Sequence, residues 1–180
     1  GGGGNTASGR FAAGGGGIHN TASQESATVG GGANNTASGA YSTVTGGEGS
    51  TASGFNATVD GGYVNVAAGY NSFAAGMRAQ ALHDGSFVWA DVQNSVDGTG
   101  VPFSSTTENQ FAVRASGGVL FAADVQIGTG GGDYHHLTLG GGNSEGFVFG
   151  SYPYFGDGVH LSYNFYADAN GSPHVINSGG

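Results

Sequence analysis

The chain has 180 residues, 12 acidic against 3 basic side chains, no cysteine, and 40 glycines with only 8% charged residues. An acidic surface without lysine repels phosphate backbones and anionic bilayers, which argues against nucleic-acid binding and electrostatic membrane docking. The lack of cysteine excludes disulfides, thiolate metal sites and thiol nucleophiles, and the glycines lack the every-third spacing of collagen.

The first half of the chain repeats itself. Asn5-Thr6-Ala7-Ser8-Gly9 returns as Asn20-Thr21-Ala22-Ser23-Gln24, Asn35-Thr36-Ala37-Ser38-Gly39, Ser50-Thr51-Ala52-Ser53-Gly54 and, loosely, Asn65-Val66-Ala67-Ala68-Gly69, each 15 residues on. A fixed short period marks a stacked architecture. Each block has two similar halves in which small or apolar residues alternate with Thr and Ser, the two-residue period of a strand with one face turned inward. One block therefore predicts two short strands and two turns, one coil of a β-solenoid. Gly9, Gly39, Gly54 and Gly69, with Gly16, Gly31, Gly46, Gly61 and Gly76, are expected to turn the corners.

Three inward columns follow from this register: Ala7, Ala22, Ala37, Ala52, Ala67; Ala12, Ala27, Ser42, Ala57, Ser72; and Gly14, Val29, Val44, Val59, Ala74. Alanine and valine methyls return far less than the entropy lost in ordering a coil, so a lone rod this thin should be marginal. Burial between identical chains is the expected remedy. Between the inward columns run outward hydroxyls, Thr6, Thr21, Thr36 and Thr51 in one ladder and Ser8, Ser23, Ser38 and Ser53 in its neighbour. Such an array either solvates a β-surface, bonds across subunits, or matches an ordered lattice, as threonine columns do in ice-binding solenoids.

The Ser-x-Ala-x-Gly-x-x-Ser-x-Ala-x-Gly pattern of residues 1–80 resembles the head repeats of trimeric autotransporter adhesins (YadA-like). That resemblance implies a left-handed parallel β-roll, three chains packed side by side, and a fibre on a bacterial surface. The chain departs from the family in using Thr-Ala-Ser where bulkier apolar residues are common, and in a 15-residue coil. Gly1 falls in the same column as Gly16, Gly31 and Gly46, so the sequence is expected to begin inside a coil of something longer.

After Ala79 the written period fails. Residues 81–127 are expected to form a neck or collar, with strands at Ser86-Phe87-Val88-Trp89-Ala90-Asp91 and Gln110-Phe111-Ala112-Val113-Arg114. These segments resemble those that follow solenoid repeats in bacterial surface fibres and phage tail-fibre-like proteins. Trp89 is expected either to plug the open end of the rod or to serve as a sugar platform. Arg114 is expected in an ion pair with Asp91, Asp84 or Glu108, the forked guanidinium suiting such sites.

Residues 128–180 read as an aromatic-rich β tip. Aromatic residues concentrate between Tyr134 and Tyr166, and Val159 to Tyr166 is the longest expected strand. The rings suit either the core of an intertwined trimer or carbohydrate stacking, with Tyr152 and Tyr154 beside Pro153 as adhesion candidates. Neither Gly128–Asp133 nor Asp168–Ser172 completes a calcium site, and adjacent His135 and His136 point to opposite faces of a strand. No nucleophile elbow, phosphate loop or His-Glu-x-x-His occurs.

The sequence thus predicts an all-β chain: a left-handed parallel β-roll (1–80), a neck (81–127) and a tip (128–180), in an intertwined homotrimer. No enzyme activity, cofactor or metal is expected. The expected partners are further copies of the chain, side by side and end to end, and a cell-surface glycan or protein receptor. The expected setting is extracellular: a bacterial surface, a filament, or a phage tail fibre with a receptor-binding segment. An ice- or lattice-binding solenoid is the remaining alternative.

Overall fold

In the computed structural model, residues 1–92, 100–122, 164–167 and 173–176 are described. Residues 1–120 form one compact unit and 121–180 another. The first is a β-solenoid with about 15 residues per coil, and all its strands pair in parallel. One sheet stacks Thr6–Ala7, Thr21–Ala22, Thr36–Ala37, Thr51–Ala52, Val66–Ala67, Ala79–Ala81 and Phe103–Ser104. The second stacks Ala13–Gly14, Thr28–Val29, Thr43–Val44, Thr58–Val59, Phe73–Gly76, Phe87–Ala90 and Phe111–Arg114. Each coil also has a third contact line absent from the sequence reading: Gly2–Gly3 pairs with Gly17–Ile18, and single bridges continue through Ala33, Glu48, Tyr63 and Met77. The coil is three-cornered because glycine-rich segments such as Gly30-Gly31-Gly32 fold a third side between the two expected strands.

Beyond the first coil, where Ala7 and Gly14 are exposed and Ala12 half-buried, the three inward columns are where alternation puts them. Ala22, Ala37, Ala52 and Ala67, with Ala27, Ser42, Ala57 and Ser72, and Val29, Val44, Val59 and Ala74, are all buried. Valine is the largest wholly buried side chain among the described residues. Aromatic rings are consequently excluded from the core. None of the described rings in the solenoid is fully buried, because a rung built on alanine and valine has no room for one.

Corners are turned only in part as the glycine reading expects. Gly61 (φ 68°) and Gly76 (φ 97°) are left-handed where expected, Gly32 (φ 89°) is left-handed one position after the expected Gly31, and non-glycine residues share the work: Tyr41 (φ 59°), Asn56 (φ 54°) and Asn71 (φ 54°) form one left-handed column. Gly39 is not a left-handed corner but a point of close approach, where a Cβ would fall 2.0 Å from the carbonyl oxygen of the next coil's Gly54. Val64 occupies a second left-handed column, at φ 53°, in line with Gly4, His19, Asn34, Gly49 and Arg78. A β-branched residue is strained there by about 1–2 kcal/mol. Val64→Asn should therefore raise the unfolding free energy by about 1 kcal/mol in a denaturant titration; no gain would mean the corner is relaxed.

The stacking continues past residue 80, where the written period fails. Val66 pairs with Gln80 and Phe73 with Phe87, a coil one residue short. Ala79 then pairs with Phe103 and Phe87 with Phe111, an offset of 24. The extra residues lie between Ala90 and Phe103, and the sheets resume their order above them. The segment read as the start of a neck thus contributes further rungs, because Ala81, Val88, Ala90 and Ala112 keep the inward positions small and buried. In the second unit, Asn164–Ala167 pairs antiparallel with Pro173–Ile176.

Candidate surface sites on the rod

Strand alternation decides which side chains the rod can offer. In the first sheet Asn35, Ala37 and Gly39 turn inward while Thr36 and Ser38 remain half-buried on the outside. The same holds along the column: Thr6 is exposed, Thr21, Thr36 and Thr51 are half-buried, Ser23 and Ser38 half-buried, Ser8 and Ser53 exposed. Thr6 pairs with Thr21, Thr21 with Thr36 and Thr36 with Thr51, so the hydroxyls stand in register on rungs about 4.8 Å apart. Among the described residues, none of these hydroxyls hydrogen-bonds another side chain or the backbone. The second sheet carries a matching ladder that the sequence reading did not single out, Thr28, Thr43 and Thr58.

Directly above, that second ladder changes from threonine to phenylalanine. Thr58 pairs with Phe73, Phe73 with Phe87 and Phe87 with Phe111. The rings stack at 4.8 Å between centroids, with interplanar angles of 1° and 19°. Beside them Ala75, Trp89 and Val113 form the adjoining outward column. Trp89 is 37% exposed and lies between buried Val88 and Ala90. It does not plug the rod's end: alternation turns it outward, and the inward place is filled by Val88. At the corner before this sheet, Tyr41 meets Phe55 edge-on at 5.3 Å, and Phe55 lies 6.0 Å from Tyr70.

Arg114 and Asp91 pair within one chain. Arg114 Nε donates to Asp91 Oδ1 at 3.2 Å, its Nη1 to the Val101 carbonyl at 2.7 Å and its Nη2 to the Asp91 carbonyl at 2.9 Å. The guanidinium also lies over the Phe103 ring. This fork ties Arg114 on the last rung to Asp91 and Val101, on rungs whose neighbours lie far apart in sequence. Hydrogen bonds from Ser116, followed by the Arg114 charge, hold the Asp91 carboxyl below the usual range. Its contribution is therefore complete above the ordinary aspartate value near 4 and is lost as pH falls through the lowered folded value. Asp91→Asn should flatten the acid limb of stability below about pH 4, read as the unfolding midpoint against pH. An unchanged acid limb would place that sensitivity elsewhere.

The sequence reading missed the residues that hold the rod from within. Asn20, Asn35 and Asn65 are buried polar side chains one coil apart, with Ser50 in the same column. Asn35 Nδ2 donates to the Gly31 and Gly47 carbonyls, and its Oδ1 accepts from the Ser50 backbone N–H. The signal was the recurrence of asparagine immediately before the first residue of a strand, Thr21, Thr36 or Val66. Tyr152 and Tyr154 lie outside the described residues. No protein-family model matches the chain, and no curated protein sequence matches it.

Proposed function

We propose that this chain is a segment of a homotrimeric extracellular fibre, structural and adhesive in service, on a bacterial surface, in a filament or on a virion. The observation that carries this reading is the distribution of apolar bulk. The core holds nothing larger than valine, while the described aromatic rings of the solenoid all reach the surface. Such a rod gains most by burying its flanks against further copies, and closed homo-oligomers are the usual solution. The resemblance of the repeats to trimeric adhesin heads supports three as the number. Native mass spectrometry of the intact chain should give a three-chain species, and glycan-array binding by that species tests the adhesive half. A single-chain species would overturn the assembly; a trimer that binds no glycan or cell surface would leave it structural only.

A second reading is favoured by the first sheet, whose two aligned hydroxyl columns carry no charge and, among the described residues, no hydrogen bond. Such a face suits an ordered water or mineral lattice. Thermal hysteresis in the intact protein, abolished by Thr36→Tyr, is the expected result on that reading; no hysteresis removes it.

A further inference from the structure

We infer that Ser105 and His83 form a pH-sensitive latch, which holds the last rung of the first sheet, Phe103–Ser104, to the coil below it. The latch is built from contacts within one chain and goes beyond the proposed assembly. Lower in the rod, neighbouring coils are joined at this corner by two successive backbone amides that share one carbonyl. Ser53 and Gly54 N–H donate to Ala67 O, and Ala68 and Gly69 N–H donate to Ala81 O. At the last rung a side chain takes over. Ser105 follows Ala67 and Ala81 in the inward column, and its hydroxyl oxygen receives the Leu82 and His83 amides, at 3.0 and 3.3 Å. The same Oγ lies 2.8 Å from His83 Nδ1, and Ser105 is only 3% exposed, so water does not stand in for a lost partner.

Counting lone pairs and protons fixes the state of the ring. A hydroxyl has one proton to donate and two lone pairs with which to accept. Two backbone N–H groups occupy the lone pairs, so the proton points to Nδ1, and His83 is neutral with its own proton on Nε2. A charged imidazolium carries a proton on both nitrogens. It would bring a third donor to Oγ and leave the buried hydroxyl proton without an acceptor, so the closed latch and the charged ring exclude one another. Opening therefore takes up a proton, and it is favoured as pH falls through the ordinary histidine range, from about pH 8 to 5. The titratable groups nearest along the stacked turns are Asp84 beside His83, Tyr70 on the coil below and Glu108 in the turn above, where Asn109 N–H donates to Asp84 O. Asp84 Oδ1 accepts from the Tyr70 N–H, and among the described residues none of the three bonds the ring. Both carboxylates attract a charged ring. The strands Ala79–Ala81 and Phe103–Ser104 contribute no charge, and Arg114, over the Phe103 ring, is paired with Asp91. The Phe103 and Ser105 amides and the Ser104–Gln80 side-chain bond do not involve the ring. Acid therefore loosens this corner without unfolding the rod.

Hydrogen exchange of the intact chain, read amide by amide by NMR and corrected for the intrinsic rate, tests the latch at both ends of that range. Wild type should lose about tenfold in protection at Leu82 and His83 in acid, while Ser53 and Gly54 keep theirs. His83→Asn sets an amide oxygen near the place of Nδ1, where it accepts the Ser105 proton and does not titrate, so its protection should be the same at both ends. Ser105→Ala should show the acid-like protection already at the alkaline end. Ring nitrogen shifts of wild-type His83 should show the Nε2–H tautomer there, a readout that needs no variant. An Nδ1–H tautomer, wild-type protection that does not change with pH, or an acid loss equally present in His83→Asn would each overturn the inference.

Discussion

Asn35→Ala should destabilise the protein by about 3–5 kcal/mol, the largest expected effect of any single side-chain truncation in the rod. The side chain is wholly buried and satisfies three backbone groups on two adjacent coils: the Gly31 carbonyl on its own coil, and the Gly47 carbonyl and Ser50 N–H on the next. Alanine removes all three contacts and leaves the buried Ser50 N–H and the half-buried Gly31 carbonyl without them, at about 1–3 kcal/mol each, while the Gly47 carbonyl keeps the Ala33 N–H. The column contains its own control. At Ser50 the Oγ accepts from the Asn65 N–H at 3.2 Å, replacing the asparagine oxygen but not its amide donor. Asn35→Ser should therefore be milder than Asn35→Ala, and Ser50→Asn should stabilise by about 1 kcal/mol. Urea titrations of the four proteins check the order; equal values for alanine and serine would show that the column is not a hydrogen-bonded spine.

Gly39→Ala is the second large effect, expected at about 3 kcal/mol or more. A Cβ there would meet Gly54 O at 2.0 Å, Gly54 C at 2.7 Å and Ser53 O at 2.8 Å. All three are backbone atoms of the next coil, so no side-chain rotation relieves the clash. The coils would have to part at a place where Ser38 N–H and Gly39 N–H both donate to Ala52 O, at 2.9 and 3.2 Å. Gly31→Ala is the matched comparison, since nothing lies within 4 Å of its added methyl. The pair should differ by most of the predicted loss in a thermal or denaturant melt. Similar stabilities would mean that coil spacing tolerates a methyl, against the close approach described.

These two positions show how far the sequence could be read. The period of 15, the Thr-Ala and Thr-Val strands and the three inward columns were legible because each depends only on strand alternation, which the written residues display. Asn35 was visible as a recurring letter but not as an inward one, because asparagine gives no apolar signal and its role depends on carbonyls four and twelve residues away. Gly39 was legible as a glycine that recurs in every coil of the repeat except the one carrying Gln24, but for the wrong reason: nothing local separates a glycine needed for its φ from one needed for its missing Cβ. The continuation past residue 80 was hidden by register. A coil one residue short followed by a longer one destroys the written period, although the buried Ala81, Val88 and Ala112 preserve the packing. Trp89 misled in the opposite direction, since bulk suggested a plug while its neighbours Val88 and Ala90 had already taken the inward sites. The hydroxyl ladders were placed outward by alternation alone, but the change from Thr58 to Phe73 within one column emerges only once the strands are paired.

On the proposed assembly, with small side chains inside and rings outside, the rod's stability is a property of neighbouring copies. A species that folds by associating melts at a temperature that rises with its own concentration. The decisive measurement is thermal unfolding of the intact chain over a hundredfold range of concentration, followed by circular dichroism, with sedimentation equilibrium on the same samples. A midpoint that climbs with concentration, together with a folded mass three times the 17.6 kDa of one chain, is the expected result. A midpoint independent of concentration in a folded species of single-chain mass would contradict it.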